Sequence, residues 1–300
     1  MITQGSTNLE RETATQPADW ARVIGRLGQV RGVLPTPGQR VAIIGCGTSY
    51  HVALAYAAAR ESAGIGQTDA WPASQARLRD YDRVVLVSRS GTTTEVVDIL
   101  DELTSAGIPV TSLVATAGTP LAERSPDLIL LADVDESSVV QTRFATTVLA
   151  LLLASLGHDL TGAIAEAEAV LAASEDEAVG HLLDAEQVTF LGQDLAYGLA
   201  LEAGLKLRES AQAWTEAYHS MEYRHGPIAI AAPGRVVWSF GPLPEGLADQ
   251  IARTGAHLEA RPVHPLAELV RVHRLCAAQT RRRGLDPDSP RHLTRSIVLA

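Results

Sequence analysis

Val41-Ala-Ile-Ile-Gly-Cys-Gly-Thr-Ser-Tyr-His51 passes from an apolar run into small glycine and hydroxyl residues, and Val84-Val-Leu-Val-Ser-Arg-Ser-Gly-Thr-Thr-Thr-Glu95 has the same grammar. Each reads as a strand that ends in a tight turn and opens a helix. At such a junction the first N–H groups of the helix lack intrahelical partners and carry partial positive charge, while Thr48, Ser49, Ser88, Ser90 and Thr93 add hydroxyl donors. Two such turns predict a socket for a phosphate.

Working outward, further strand-like runs at Val110 to Ala115 and Leu128 to Leu131 alternate with helical stretches near Ser49 to Ser62, Thr93 to Ala106 and Phe144 to Leu156. This alternation predicts a parallel sheet covered on both faces. From Gly157 to Glu186 alanine and acidic residues dominate, which predicts one long helix joining two halves. Val188-Thr-Phe-Leu-Gly-Gln-Asp194 then repeats the opening grammar and leads into a long helix, followed by strand-like runs at Arg235 to Phe240 and near His257 to Val263. The pattern is a weak internal duplication of one α/β unit. The expected organisation is a first subdomain over residues 1–156, a helical linker over 157–186 and a shorter second subdomain over 187–300.

The 300 residues, 46% hydrophobic and 20% charged, are enough to bury a substantial core. A net charge of −10 and a pI near 5.4 argue against nucleic acid or an anionic membrane as partner, since both demand a basic surface. Cys46 and Cys276 are the only cysteines and give neither a disulfide framework nor metal-ligand spacing, which fits a reducing cytoplasm and no metal. Met1 to Asn8 is polar, unlike a signal peptide, and the longest apolar run, Val148 to Leu156, is too short to span a bilayer.

Lys206 is the only lysine in a chain whose other cations are all arginine. It lies in Leu195-Ala-Tyr-Gly-Leu-Ala-Leu-Glu-Ala-Gly-Leu-Lys-Leu-Arg-Glu209, a stretch apolar almost all round when wound as a helix. The exceptions Glu202, Lys206 and Glu209 are spaced i, i+4, i+7 and share one edge. A surface salt bridge is the plain explanation. Because stranding carboxylates among apolar faces costs several kcal/mol, a polar cavity along that edge is the better one. Downstream, Glu222-Tyr-Arg-His-Gly-Pro227 places His225 in a glycine-proline turn.

Taken together, Gly45-Cys-Gly-Thr-Ser-Tyr-His51, Ser88-Arg-Ser-Gly91, Ala200-Leu-Glu-Ala-Gly-Leu-Lys-Leu-Arg-Glu209, His225-Gly-Pro227 and the tail Asp288-Ser-Pro-Arg-His-Leu-Thr-Arg-Ser296 resemble the sugar isomerase (SIS) domain family. Within it they are most similar to the isomerase half of glutamine:fructose-6-phosphate amidotransferase (glucosamine-6-phosphate synthase). The resemblance implies two tandem flavodoxin-like or Rossmann-like subdomains with parallel sheets. It also implies a cofactor-free, homodimeric cytoplasmic enzyme that binds a phosphorylated sugar and shifts a carbonyl between C1 and C2. In this reading Gly47, Thr48, Ser49, Ser88, Ser90 and Thr93, with the backbone around Arg89, hold the phosphate. Glu209 moves the proton, Lys206 and Glu202 line the same pocket, and His225 assists ring opening in the neighbouring subunit's site. Val139, Gln141 and Arg295 fall where the family lines the sugar.

Two departures are visible. Arg295 replaces the tail lysine that forms an imine with the ketose, and a guanidinium does not form that adduct; Gln141 replaces a serine. With no glutaminase half in the chain, an amino-sugar 6-phosphate isomerase-deaminase is the preferred expectation. A plain aldose-ketose isomerase, a deglycase of phosphorylated sugar-amine adducts and a non-catalytic sugar-phosphate sensor are the alternatives. A nicotinamide-dependent dehydrogenase is disfavoured, because Tyr50 occupies the place of the third fingerprint glycine.

Overall fold

The computed structural model describes residues 6–299, so the first five residues of the polar Met1 to Asn8 stretch lie outside the described ones. The chain forms two compact units, and they do not follow a linear division of the sequence. One comprises residues 18–136, 143–160 and the tail from Thr294 onward. The other comprises the residues up to Pro17, the short segment Ser137–Thr142 and Thr161–Leu293.

The first unit is built on five parallel strands, β1 (Val41–Gly45), β2 (Thr68–Pro72), β3 (Arg83–Ser88), β4 (Val110–Val114) and β5 (Asp127–Leu130), in the order β2-β1-β3-β4-β5. Every residue of β1 and β4 is buried, which is why these strands are continuous apolar runs rather than alternating ones. Leu86, Val96, Leu100, Leu103, Val114 and Leu121 belong to one core cluster between this sheet and the Thr94–Ser105 helix. The strand order reverses between β1 and β3, and at such a point the loops leaving the two strands diverge and open a crevice at their carboxyl ends. The turns after β1 and β3 are the two hydroxyl-rich turns of the sequence.

The second unit carries β6 (Gln187–Gly192), β7 (Trp214–His219), β8 (Arg235–Phe240) and β9 (His257–Ala260), all parallel, in the order β7-β6-β8-β9. Its order is that of the first unit without the last strand, and the duplication extends to backbone detail. Gly47 (φ 53°, ψ −121°) and Asp194 (φ 50°, ψ −129°) precede the Thr48–Ser62 and Leu195–Ala211 helices in nearly the same conformation. Two residues earlier, a Cβ added to Gly45 would lie 2.5 Å from Ser49 Cβ, and one on Gly192 would lie 2.3 Å from Ala196 O. Strand and helix approach too closely there for any side chain.

Three expectations are corrected. β2 and β7 were not foreseen; both are edge strands with mixed sequences, Thr68-Asp-Ala-Trp-Pro72 and Trp214-Thr-Glu-Ala-Tyr-His219, held by the ladder to β1 and β6 rather than by their own pattern. The single helix expected over 157–186 is broken into Thr161–Ala172 and Glu175–Val179. Ser174 restarts it with a capping box, its hydroxyl accepting from Glu177 N at 3.2 Å while the Glu177 carboxylate accepts from Ser174 N at 2.9 Å.

Candidate active site

In the first unit the turn after β3 folds hydroxyls around one point. Ser88 Oγ accepts from Gly91 N at 3.1 Å and Ser90 Oγ from Thr92 N at 3.3 Å, which fixes the loop. Gly91 is left-handed (φ 66°), and a Cβ there would lie 2.1 Å from Thr119 Oγ1. Ser90 and Thr92 donate to Ser296 Oγ at 3.1 and 2.9 Å, and Thr93 Oγ1 is 3.3 Å from the same atom. Thr94 N, the first N–H of its helix, donates to Ile297 O at 3.1 Å. Tail acceptors thus sit on the hydroxyls and helix N-terminus that suit a phosphoryl oxygen. Thr48 and Ser49 are buried at the start of the helix after β1. In the same turn, burial first and the Glu95 carboxylate second push the Cys46 thiol up to about 11, which keeps it protonated at neutral pH.

Arg89 is buried with its guanidinium 3.7 Å from Glu136 and donating to Arg295 O at 3.3 Å. Arg295 itself donates to Glu136 O, forms an ion pair with Asp135 and donates to Thr116 Oγ1 at 3.3 Å. Arg295 is therefore a permanently charged group fixed by a carboxylate.

In the second unit Glu202, Lys206 and Glu209 do share one edge of the Leu195–Ala211 helix. Lys206 Nζ lies 3.4 Å from Glu202 Oε1 and 2.5 Å from Glu209 Oε2. Glu202 and Lys206 are 2% and 1% exposed, whereas the Glu209 side chain is 20% exposed, so Glu209 is the member that a solute reaches. The inner end of the edge faces the Pro265–Arg282 helix. Burial holds its His273 imidazole down to about pKa 3, opposed by Glu202 and assisted by Lys206, and burial pushes the Cys276 thiol up to about 12. Gln16 Nε2 and His273 Nδ1 are 3.0 Å apart. The same unit holds the Ser137–Thr142 segment, where Glu12 accepts from Ser137 N at 2.5 Å and from Ser138 N at 3.2 Å. Val139 and Gln141 lie on this segment, and the Gln141 side-chain oxygen is buried with no hydrogen-bond partner, an acceptor suited to a ligand hydroxyl. His225 is exposed, ending a one-turn helix over Glu222–His225 ahead of Gly226 (φ 131°).

Sequence reasoning missed Thr92, Ser296 and Asp135. Thr92 belongs to the quoted Ser-Gly-Thr-Thr-Thr run and Ser296 ends the quoted tail, but neither was given a role; Asp135 gave no signal, because its role depends on a segment far off in sequence.

A parallel sheet in the order 2-1-3-4-5 with a hydroxyl-lined helix N-terminus at its switch point defines a doubly wound domain of the flavodoxin-like type, rather than the 3-2-1-4-5-6 dinucleotide type. Within that class, the SIS domain matches this chain over residues 36–156. It is 29% identical over 319 residues to a glutamine–fructose-6-phosphate aminotransferase (isomerizing) of Symbiobacterium thermophilum, covering 87% of this chain and 52% of that protein. The chain spans about half the length of the curated relatives it matches. A glucosamine-6-phosphate deaminase of Thermotoga maritima has the same fold, with a TM-score of 0.84 at 24% identity over 98% of this chain and 100% of that one. A phosphosugar isomerase assigned in Silicibacter pomeroyi superposes with a TM-score of 0.73 at 26% identity, over 94% and 100%. No helix among the described residues is long and apolar enough to cross a membrane.

Proposed function

We propose that this chain is a phosphosugar enzyme that converts an amino-sugar 6-phosphate of the glucosamine type into the ketose phosphate and ammonia, with Glu209 as the base. The observation that carries this reading is the convergence of the Ser90, Thr92 and Thr93 hydroxyls, all within 3.3 Å of one oxygen, at a helix N-terminus on a sheet switch point. The similarity to an aminotransferase acting on fructose 6-phosphate favours a sugar phosphate as the ligand and an amino group at C2.

The chemistry follows from the groups present. In the open-chain substrate the C1 carbonyl acidifies the proton on C2. Glu209 removes that proton while O1 takes one from water, and Glu209 then returns its proton to C1, leaving an iminium at C2; water adds to C2, and ammonia and one proton depart, giving the ketone and restoring the proton count. The electron pair stays within the sugar, so no oxidant or reductant enters the balance. Lys206, between Glu202 and Glu209, fixes the base and offsets charge on the helix edge. His225 takes the O1 proton and supplies one to O5 when the ring opens, serving the partner subunit of a homodimer. Because this direction releases ammonia to water, it does not call for an imine-forming lysine at Arg295.

The test is turnover of glucosamine 6-phosphate and fructose 6-phosphate beside their unphosphorylated forms, followed by ammonia release and ketose or aldose formation. The proposal predicts ammonia from the phosphorylated amino sugar and negligible turnover of the free sugar. Equal turnover of both, or turnover of neither, contradicts it.

A further inference from the structure

In the four-stranded unit, away from the helix edge that carries Glu209, β9 presents His257 and Glu259, which lie two residues apart and so on one face of the strand. His181, from the one-turn helix Gly180–Leu182, meets them there. His181 Nε2 is 2.9 Å and His257 Nε2 is 3.3 Å from the same oxygen, Glu259 Oε2, and the two imidazoles stand edge to face with centroids 5.4 Å apart. All three donor atoms lie within 4.8 Å of one another.

From these contacts we infer a divalent transition-metal site, best suited to Zn²⁺, formed by His181, His257 and Glu259. Tetrahedral zinc with bonds of about 2.0–2.1 Å to nitrogen and oxygen requires donor atoms about 3.3 Å apart. The two nitrogen–oxygen separations are already close to that value. The histidine side chains are 45% and 51% exposed, so they can turn to close the nitrogen–nitrogen separation without disturbing a core, and water completes the shell. Two imidazoles and one carboxylate are a donor set that favours zinc over the oxygen-seeking Ca²⁺ and Mg²⁺.

The carboxylate is held in place from behind. Arg271 Nη1 grips the other oxygen, Glu259 Oε1, at 2.6 Å, and Arg271 is itself fixed by Glu268 at 3.0 Å, by Ala178 O at 2.6 Å and by stacking over Trp238. Glu268 in turn accepts from Trp238 Nε1 at 2.6 Å. This outer layer aims one carboxylate oxygen at the imidazoles and leaves the second occupied, the kind of support that metal-ligating carboxylates carry. A bound ion would tie the edge strand β9 to the Gly180–Leu182 turn and stabilise the fold without entering the sugar chemistry.

The whole chain, stripped with chelator, is titrated with Zn²⁺ alone by calorimetry and by thermal melting. The account predicts one saturable site per chain and, at a hundredfold excess over the dissociation constant, an upward Tm shift of about 4 °C. Both are lost, with binding weakened at least about 100-fold, in His181→Gln and separately in His257→Gln. Their surface positions leave folding intact, and unliganded melts of the two variants check this. Absence of saturable binding to the wild type, or binding and a Tm shift that persist in both variants, overturns the assignment.

Discussion

Lys206 stands between two carboxylates, and this arrangement was legible because three residues on one helix obey local geometry: i, i+4, i+7 fixes a shared edge whatever the rest of the chain does. What the pattern did not disclose is the gradient along that edge. Glu202 and Lys206 are sealed and Glu209 is not, and this follows from where the Pro265–Arg282 helix packs, a non-local contact. The hydroxyls at Ser88, Ser90 and Thr93 were legible for the same reason, as members of one turn, whereas Ser296 reaches Ser90 from 206 positions along the chain. If the proposed phosphate site is right, replacing Ser90 by Ala or Thr93 by Val removes one hydrogen bond to the phosphate, a loss of about 1.5–3 kcal/mol. Steady-state kinetics are expected to show KM for the phosphosugar raised roughly 10- to 100-fold with kcat little changed, since such binding is shared by ground and transition states. An unchanged KM in both variants excludes this turn as the phosphate site. His273 gives a prediction in pH. Its folded-state pKa lies near 3 against an ordinary 6.5, so between those values the unfolded chain binds a proton that the folded one refuses. Stability therefore falls as pH drops through that window, by roughly 1 kcal/mol per pH unit from this group. Urea midpoints measured from pH 7 to 4 should decline less steeply in His273→Gln than in the wild type; parallel slopes contradict the assignment.

At the scale of elements, the strand-turn-helix units were read correctly wherever the strand is buried on both sides, as in β1, β3, β4, β6 and β8, because burial forces a continuous apolar run. The edge strands β2 and β7 escaped because their mixed sequences carry no apolar run, whereas the edge strand β5 keeps one at Leu128-Ile-Leu130. The break in the linker was present in the sequence as Ser174-Glu-Asp-Glu177, a capping box overlooked within an alanine-rich stretch. The duplication has a mechanical consequence. Asp194 adopts a backbone that Gly47 adopts without strain, and a side chain in that region costs of order 1–3 kcal/mol. Asp194→Gly is expected to raise the unfolding free energy by about 1 kcal/mol. Gly192→Ala, which forces a Cβ against backbone, should lower it by at least about 2 kcal/mol. Urea denaturation of the two variants checks both signs; a destabilised Asp194→Gly shows that the aspartate side chain holds the turn.

For the whole molecule, the sequence made the α/β class and both parallel sheets legible, but not the way the chain is shared between its two units. That the Ser137–Thr142 segment belongs with the second sheet and the C-terminal tail with the first cannot be inferred from periodicity, since neither segment has any. The proposed function requires a second copy of the chain, because it assigns His225 to the partner's reaction. Glu209→Gln and His225→Ala are each expected to be inactive alone. If they exchange subunits freely, an equal mixture should regain about a quarter of wild-type activity, one intact site in the half of the dimers that are mixed. No recovery would place both groups in the same subunit's chemistry. The central claim, proton transfer by Glu209 on a phosphorylated amino sugar, is tested most directly by the rate of ammonia release from glucosamine 6-phosphate by the wild type and by Glu209→Gln. The account predicts a fall of at least about 1,000-fold in kcat with KM little altered; a variant that releases ammonia at the wild-type rate would contradict it.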